Sequence, residues 1–393
     1  MPWKETSPMY ERRRFIADYL ADRFPVSELC ARYGISRKTG YKWLERFESE
    51  GPPGLRDRSR RPQGCPHQTP QEVVDALLQY RRRHPRWGPK KLLARLTRRQ
   101  PSWPWPAPST ASAILKKHHL VSSQRRSRRL GHPGYAVPAM QAPNATWTAD
   151  FKGQFKTRDG YYCYPLTVAD GYSRYLLACQ GLDGTTHNAT KRVFRRLFQE
   201  FGLPERIRTD NGTPFASNAL CRLSRLSVWW MRLGITPDLI EPAKPYQNGR
   251  HERMHKTLKA DATRPPSATR RAQQRRFNAF RAEYNEERPH EALQQRSPST
   301  FYHPSPRPYP DRLPPLDYPK HFEVRRVGTN AGIRWRGRWV NVSHVLAGEH
   351  IALEEIDDGL WTVYFSHLEL GRLHERTGTI EDTIGRITRP QRP

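Results

Sequence analysis

Cysteines and long apolar segments are both scarce in this sequence. The five cysteines are scattered along 393 residues and include no Cys-x-x-Cys pair, which excludes a disulfide framework and predicts a reducing, cytoplasmic location. The histidines near them lack a second thiolate at zinc-binding spacing. No segment approaches the length of an apolar membrane span, and the N-terminus has no apolar signal-peptide core. We therefore expect no membrane partner, no export and no structural zinc.

Acidic residues are the second scarcity. The chain has 38 Asp and Glu against 68 Lys and Arg, which gives a formal net charge of +30. A charge of this size carries no information about the fold, but it predicts attraction to polyanions. Because a membrane-surface binder would need a basic amphipathic helix or a long apolar run, nucleic acid is the expected partner.

Residues 1–50 have the pattern of a helix-turn-helix module. Ser27 and Ser36 are candidate N-caps of two short helices that are joined at Gly34. An ordinary pair of packed helices is the alternative, and the basic second helix favours DNA binding. The candidate DNA contacts on that helix are Arg37, Lys38, Lys42 and Arg46.

A second helix-turn-helix module is expected at residues 69–120, after a polar linker at residues 51–68. The segment Thr69-Pro70-Gln71-Glu72 has the pattern of a capping box. A further helix begins at Trp87-Gly88-Pro89, and Lys90 on it is a candidate DNA contact. A basic tether follows at residues 121–140, and the arginines expected to lie along phosphates are Arg125, Arg126, Arg128 and Arg129.

The apolar pattern of residues 141–302 predicts an α/β domain. A period of two predicts three strands, and helices then alternate with strands. A three-stranded meander followed by such alternation is typical of a mixed sheet. The expected strands are 147–156, 161–169, 174–180, 206–210 and 235–240, and the expected helices are 187–201, 217–233, 250–262 and 268–287.

The C-terminal part has the composition of a linker followed by a small β-domain. Residues 303–320 are rich in proline and predict a stiff linker. Short strands in residues 321–380 predict a small all-β barrel, in which Arg334 and Arg336 are candidate DNA contacts beside two tryptophans. The tail from Thr377 is expected to be mobile.

Three carboxylates stand on three separate predicted elements. Asp150 lies in the first strand, Asp210 ends a later strand, and Glu252 opens a helix. Clustered carboxylates can hold two divalent ions for phosphodiester chemistry. Asp210 precedes Asn-Gly and has a turn-forming role as its alternative, and Glu241 competes with Glu252 for the third position.

Three motifs in this order resemble the integrase-core DDE transposases of bacterial insertion sequences. They are Trp147-x-x-Asp150-Phe151-Lys152-Gly153, Thr209-Asp210-Asn211-Gly212-x-x-Phe215 and Gln247-Asn248-Gly249-x-x-Glu252-Arg253. The segment Tyr284-Asn285-x-x-Arg288-Pro289-His290 resembles the one that follows the core in that family. The gap of 41 residues between Asp210 and Glu252 is longer than usual in the family, and an inserted helix at 220–230 is expected to hold the extra length.

The resemblance implies a ribonuclease-H-like core with Asp150, Asp210 and Glu252 as the catalytic, metal-binding triad. It also implies two Mg²⁺ or Mn²⁺ ions, cleavage at the terminal inverted repeats of a mobile element, and strand transfer into target DNA in the bacterial nucleoid. A dimer or larger assembly on double-stranded DNA is expected, because two DNA ends must be held together. Asn211, Gln247 and Asn248 are expected to support the site, and the expected DNA contacts near it are Arg250, His255, Lys256 and Lys259.

Two other functions remain open at this point. One is a sequence-specific DNA-binding regulator with an inactive integrase-like core, although all three carboxylates are present. The other is a simple metal-dependent nuclease, although such an enzyme would not need two recognition modules and a β-barrel.

Overall fold

The computed structural model describes residues 6–59, 68–121, 140–241, 245–383 and 385–388. These residues form two compact units, Met1–Gln68 and Thr69–Pro393. Within the described residues, no helix combines the length and the apolar character that crossing a bilayer requires.

The first unit is a bundle of three helices, α1 (Pro8–Leu20), α2 (Val26–Arg32) and α3 (Arg37–Glu50). Ser36 caps α3 as expected, because its hydroxyl accepts a hydrogen bond from the Thr39 backbone N–H at 3.2 Å. Ser27 caps nothing, since α2 already begins at Val26. The expected linker is partly wrong as well: Pro52–Leu55 forms a 3-10 turn that buries Leu55 in the helical core.

The second unit begins with three further helices, α4 (Gln71–Arg83), α5 (Pro89–Arg99) and α6 (Pro108–Lys117). They share a core that includes Leu77, Trp87 and Leu92. The expected capping box is wrong, because α4 starts after Pro70 and no side chain caps it. The tether arginines Arg125, Arg126, Arg128 and Arg129 lie outside the described residues.

A mixed sheet forms the centre of the second unit. Its strands are β1 (Thr146–Phe151), β2 (Phe155–Lys156), β3 (Tyr162–Asp170), β4 (Leu176–Leu182), β5 (Arg206–Thr209) and β6 (Thr236–Leu239). Their main order is β4-β3-β1-β5-β6, with short β2 also paired to β3. Strand β3 is antiparallel to both β1 and β4, while β5 and β6 run parallel to β1. The predicted ribonuclease-H-like α/β fold class is therefore confirmed.

Helices cover both faces of this sheet. Helices α7 (His187–Phe201) and α8 (Arg225–Arg232) pack with Trp147 and Ile207 on one face. Helices α9 (Gly249–Ala262) and α10 (Arg270–Ala282) pack with Cys179 on the other. The sheet is thus buried on both sides, and the polar groups of a site can open only where strands end.

The helix expected at 217–233 is shorter than its sequence pattern indicates. Ser224 and Ser227 form a reciprocal capping box that starts α8 at Arg225. The preceding Leu220–Arg222 is a 3-10 turn, in which Cys221 and Arg222 have positive φ angles of 51° and 57°. A continuous helix cannot include residues in that left-handed region.

The C-terminal domain is an antiparallel β-domain. Its five-stranded sheet has the order β13-β12-β11-β10-β7, and a two-stranded hairpin, β8–β9, packs in the same core. The expectation of a mobile tail from Thr377 is wrong for Thr379–Asp382, which pairs with β12. The strands are β7 (Glu323–Arg326), β8 (Gly332–Trp335), β9 (Arg338–Asn341), β10 (His350–Asp357), β11 (Leu360–Phe365), β12 (Leu368–His374) and β13 (Thr379–Asp382).

Candidate metal centre

The parallel pairing of β1 and β5 brings two of the predicted carboxylates together. Ala149 is paired with Thr209, so Asp150 and Asp210 are the next residues on neighbouring strands. Asp210 leaves β5 at its carboxyl end, where ligand sites of such sheets open. The backbone N–H of Gly212 donates to the Asp210 carboxylate. A β-carbon at Gly212 would lie 3.0 Å from an Asp210 oxygen, so glycine allows this close approach.

The two carboxylates oppose each other's ionisation. Burial, followed by the charge of Asp210, raises the pKa of Asp150 from 3.8 to about 7. Burial also raises the pKa of Asp210, although its hydrogen bond from Gly212 acts in the opposite direction. Two partly buried negative charges that interact in this way are costly unless a cation offsets them.

A buried network of threonines and histidines supports Asp150 from behind. The Thr167 hydroxyl lies 3.0 Å from the Asp150 carbonyl oxygen, 2.7 Å from His251 Nε2 and 2.6 Å from His255 Nε2. His251 Nδ1 lies 3.0 Å from the hydroxyl of Thr148. Burial lowers the pKa of His251 to about 3 and that of His255 to about 2, so both rings are neutral.

Proton counting shows how this network presents a lone pair to Asp150. When the Thr167 hydroxyl donates to the Asp150 carbonyl, its single proton is used, and both histidine Nε2 atoms must donate to Thr167. The Nδ1 atom of His255 is then an acceptor, and it lies 3.6 Å from an Asp150 carboxylate oxygen. When Asp150 is ionised, two acceptors face each other there, and a cation would satisfy both.

The predicted supporting residues hold the loops around the carboxylates. Asn248 is buried and donates to Asp150 Oδ2 at 3.1 Å. Gln247 makes two hydrogen bonds with Glu241. Its side-chain amide donates to the Glu241 carboxylate at 2.8 Å, and its amide oxygen accepts from the Glu241 backbone N–H at 3.0 Å. Asn211 donates to the Ile240 carbonyl at 2.9 Å. These bonds join the ends of β5 and β6 to the start of α9.

Helix α9 places the residues predicted around Glu252 on two different sides. Its buried stripe is His251, Met254, His255, Leu258 and Ala262. Glu252, Lys256 and Lys259 are exposed on the opposite, solvent-facing side of the helix. The prediction that His255 contacts DNA is therefore wrong. Its side chain is 5% exposed and is hydrogen-bonded inside the protein, which leaves no surface for a DNA contact. Glu252 has no hydrogen bond or ion pair to any described residue.

The donor atoms at Asp150 fit a divalent cation. In the described part of the chain, Asp150, His251 and His255 are the one group of three such side chains with ligand atoms within 4.8 Å of one another. The histidine Nε2 atoms are already engaged by Thr167, so the free lone pairs belong to the carboxylates and to His255 Nδ1. Carboxylate oxygens are the ligands that Mg²⁺ and Mn²⁺ prefer, and the imidazole nitrogen of His255 is the one non-oxygen donor beside them.

The remaining predicted DNA contacts lie mostly on exposed surface. Arg37, Lys38 and Lys42 are exposed on α3, while Arg46 is half-buried beside Trp43. Lys90 lies 4.0 Å from a Glu291 carboxylate oxygen, and Arg250 donates to the Gly171 carbonyl at 3.1 Å. Arg334 is exposed on β8, and Arg336 is paired with Glu375 at 2.9 Å.

Sequence reasoning missed His251, Thr148 and Thr167. The signal for the histidine was present, because His251 shares the spacing of Met254, His255 and Leu258 and belongs to a buried helix face. The threonines carried no signal, since β-branched residues in strands are usual. Their role depends on the antiparallel register that pairs Asp150 with Thr167.

Family models match most of the described domains. Two models of an integrase core domain match residues 140–245 and 233–298. A helix-turn-helix domain matches residues 11–63, and a homeodomain-like domain matches residues 39–115. The C-terminal domain of the IS481 transposase family matches residues 322–381.

Curated relatives include insertion-element and retroviral proteins. The "Insertion element IS407 uncharacterized 31.7 kDa protein" of Burkholderia multivorans is 31% identical over 48% of this chain and 66% of its own length. The Gag-Pol polyprotein of baboon endogenous virus is 32% identical over a segment that covers 31% of this chain and 7% of that polyprotein. Among solved structures, the HTLV-2 integrase catalytic core domain in complex with magnesium covers 42% of this chain and 99% of its own, with 17% identity and a TM-score of 0.34.

Proposed function

This chain belongs to the integrase-core family of insertion-sequence proteins, and on that premise we propose that it is a DNA transposase. It binds the terminal inverted repeats of its own element through the helix-turn-helix modules. It then cleaves the 3′ ends and transfers them into target DNA. The proposal places it in the bacterial cytoplasm, on the nucleoid, as a dimer or larger assembly that holds two DNA ends.

The observation that carries this proposal is the position of Asp150 and Asp210, each of which directly follows the paired residues Ala149 and Thr209 of adjacent strands. Burial, followed by the charge of Asp210, raises the pKa of Asp150 to about 7, and this free-energy cost is what a bound cation would offset. Perturbed carboxylates of this kind are typical of functional sites. A DNA-binding regulator with an inactive core would gain nothing from that cost.

In this proposal, Asp150 and Asp210 hold two Mg²⁺ or Mn²⁺ ions through their carboxylate oxygens. Glu252 on the first turn of α9 is the third ligand. Bound ions of this type activate an oxygen nucleophile and stabilise the leaving oxygen of an in-line displacement. Asn248 orients Asp150 through its amide, while the two hydrogen bonds between Gln247 and Glu241 position the start of α9. Lys256 and Lys259 attract the DNA backbone towards the ions.

A strand-transfer assay with the full chain tests the proposal. The substrates are duplexes that carry the DNA flanking the coding region, a target plasmid, and Mg²⁺ or EDTA. We expect Mg²⁺-dependent 3′-end cleavage and joining by the wild type, and a loss of at least about 100-fold in Asp150→Asn, Asp210→Asn and Glu252→Gln. Glu200→Gln, on the exposed face of α7, is the matched control and should remain active.

The outcomes separate the rival functions. Cleavage without joining would indicate a nuclease, and repeat-specific binding without either reaction would indicate a regulator. Full joining by Asp150→Asn would remove the metal-centre assignment. Loss of joining in Glu241→Gln but not in Glu252→Gln would transfer the third position to Glu241.

A further inference from the structure

A second site lies on the other side of His251 and Thr148. It is a cavity of about 190 Å³ between the β3–β4 turn, α5, the start of α9 and the segment after α10. Five cationic side chains line it: Lys91, Arg174, Arg250, Arg253 and Arg288. No step of the proposed reaction uses this cluster.

Most of these cations lack an acidic partner. Among the described residues, Lys91, Arg174 and Arg253 form no ion pair. Arg288 lies 3.5 Å from Asp261, which is also paired with Arg86 at 2.9 Å. The stretches of this unit outside the described residues contain no Asp or Glu, so they supply no further acid.

The acids near the cavity are already engaged. Asp170 lines it, but its carboxylate accepts from the Asn144 backbone at 2.8 Å and from the Ser173 backbone and hydroxyl at 2.7 and 2.6 Å. Glu291 attracts Lys91 and lies 4.0 Å from Lys90. A cluster of positive charge therefore remains in excess.

Lys91 and His290 are withdrawn from solvent at this cavity, and Arg174 is held in an unfavourable backbone conformation. Burial, followed by the charge of Arg288, lowers the pKa of Lys91 to about 8. His290, which lines the cavity, is 93% buried, and its Nε2 atom has no hydrogen-bond partner. Arg174 has a φ of 64°, a strained conformation for a residue with a β-carbon. Strain, repulsion and an unpaired ring nitrogen meet at one cavity.

We propose that this cavity binds a single phosphate group of the DNA backbone. Several convergent cations are the chemistry that recognises phosphate. The volume lies below the roughly 300 Å³ at which pockets for whole small-molecule ligands begin, which favours a phosphate over a nucleotide cofactor. The choice of DNA over a free anion rests on the proposed function.

The position of the cavity connects it to the metal centre. Thr148 lines the cavity and stands two residues before Asp150 on the same face of β1, a separation of about 7 Å along a strand. His251 lines the cavity and also contacts Thr167 behind Asp150. A phosphate bound here anchors the strand that enters the metal centre.

A thermal-shift titration with inorganic phosphate, against chloride at matched ionic strength, tests the cavity by itself. We expect phosphate to raise the Tm of the wild type and to have a much smaller effect on Arg253→Gln and on Arg174→Gln with Arg253→Gln. In phosphate-free buffer these variants should melt no lower than the wild type, because repulsion is relieved. Arg275→Gln, on the exposed face of α10, should keep the full shift. Equal shifts in all the proteins would overturn the site.

The salt dependence of duplex binding separates DNA phosphate from a free anion. For a duplex of arbitrary sequence, Arg253→Gln should reduce the slope of log affinity against log salt by about 1, while Arg275→Gln leaves it unchanged. A lost phosphate shift with an unchanged slope would overturn the DNA assignment in favour of a free anion. Neither measurement reads strand transfer, so failure of the transposase proposal would leave the phosphate result standing.

Discussion

Asp150 and Asp210 place two negative charges at neighbouring strand positions in a largely buried setting. Without a cation, each raises the cost of ionising the other, and the folded chain carries that cost. Sites that need a metal commonly accept such instability, because the ligands must be in place before the ion arrives. Replacing one carboxylate should therefore stabilise the metal-free chain while it removes the metal.

Asp150→Asn should raise the Tm in EDTA, and the gain should depend on pH. Burial and Asp210 raise the pKa of Asp150 from 3.8 to about 7, so the folded wild type holds a proton that the unfolded chain releases. The stability that this proton contributes is complete at low pH and is lost as the pH rises through about 7. The difference in Tm between variant and wild type should grow as the pH rises from 3.8 to about 7 and should then level off.

Differential scanning fluorimetry at a series of pH values measures this difference. Mg²⁺ should raise the Tm of the wild type but not that of Asp150→Asn. Asp183→Asn, in an exposed turn, is the control and should follow the wild type in both experiments. A lower Tm for Asp150→Asn in EDTA at neutral pH would contradict the charge argument.

Thr167 is the other residue on which the centre depends. Thr167→Val keeps the shape of the side chain but removes the hydroxyl that three buried groups share. An unpaired buried polar group costs about 1–3 kcal/mol, so we expect a loss of about 2–4 kcal/mol in the free energy of unfolding. Urea denaturation measures it, and Thr167→Ser should recover most of the stability. Equal stability of the Val and Ser variants would show that the Thr167 hydroxyl does not stabilise the network.

At the scale of elements, the long segment between Asp210 and Glu252 has a structural role. Leu220, Leu223, Val228 and Met231 belong to the same apolar core as the C-terminal domain. The Cys221 backbone N–H donates to Asp382 at 3.1 Å, and Arg232 pairs with Glu349 at 2.6 Å. The added length therefore supplies a surface on which the C-terminal β-domain packs, and α8 belongs to both cores.

Met231→Ala should loosen the C-terminal domain before it affects the central sheet. Met231 is 1% exposed and contributes to the shared core, and large-to-small core changes of this type cost about 2–5 kcal/mol. Hydrogen exchange should increase mainly in β10–β13. Leu197→Ala, in the core under α7, should increase exchange mainly in the central sheet. The same exchange pattern in both variants would contradict the division of α8 between two cores.

At the scale of the whole molecule, the chain divides into units with different roles. The first unit has its own core, which includes Phe15, Leu29, Trp43 and Leu55. The second unit contains the carboxylates and the C-terminal domain. A net charge of +30 attracts DNA without regard to sequence, so specificity must come from base contacts made by particular modules.

Removal of residues 1–68 should leave a folded protein that has lost part of its sequence preference. The remaining chain keeps every described contact of the metal centre, so its Mg²⁺-dependent rise in Tm should be unchanged. The ratio of affinities for terminal-repeat and arbitrary duplexes should fall by about 10-fold or more. Competition binding at fixed salt measures the ratio. An unchanged ratio would assign base recognition to α4–α6, and an unfolded product would contradict the independence of the two units.

Local patterns were sufficient for much of this protein. Helix α7 has the bounds that periodicity and Gly202 indicate, and Ser36 caps α3 as expected. The mixed sheet followed from the order of strands and helices. The start of the helix expected at 217–233 could not be predicted, because the sequence pattern does not show the positive φ of Cys221 that ends the preceding turn.

The sequence by itself determined which carboxylates stand at strand and helix ends and how strongly the chain attracts DNA, because both depend on residue type and order. Only the tertiary structure decided that Asp150 lies beside Asp210, that Thr167 bonds to His251 and His255, and that His255 faces inward. These are consequences of strand register and helix rotation. The cation-lined cavity has the same origin: Lys91, Arg174, Arg253 and Arg288 come from four separate segments, and packing alone brings them together.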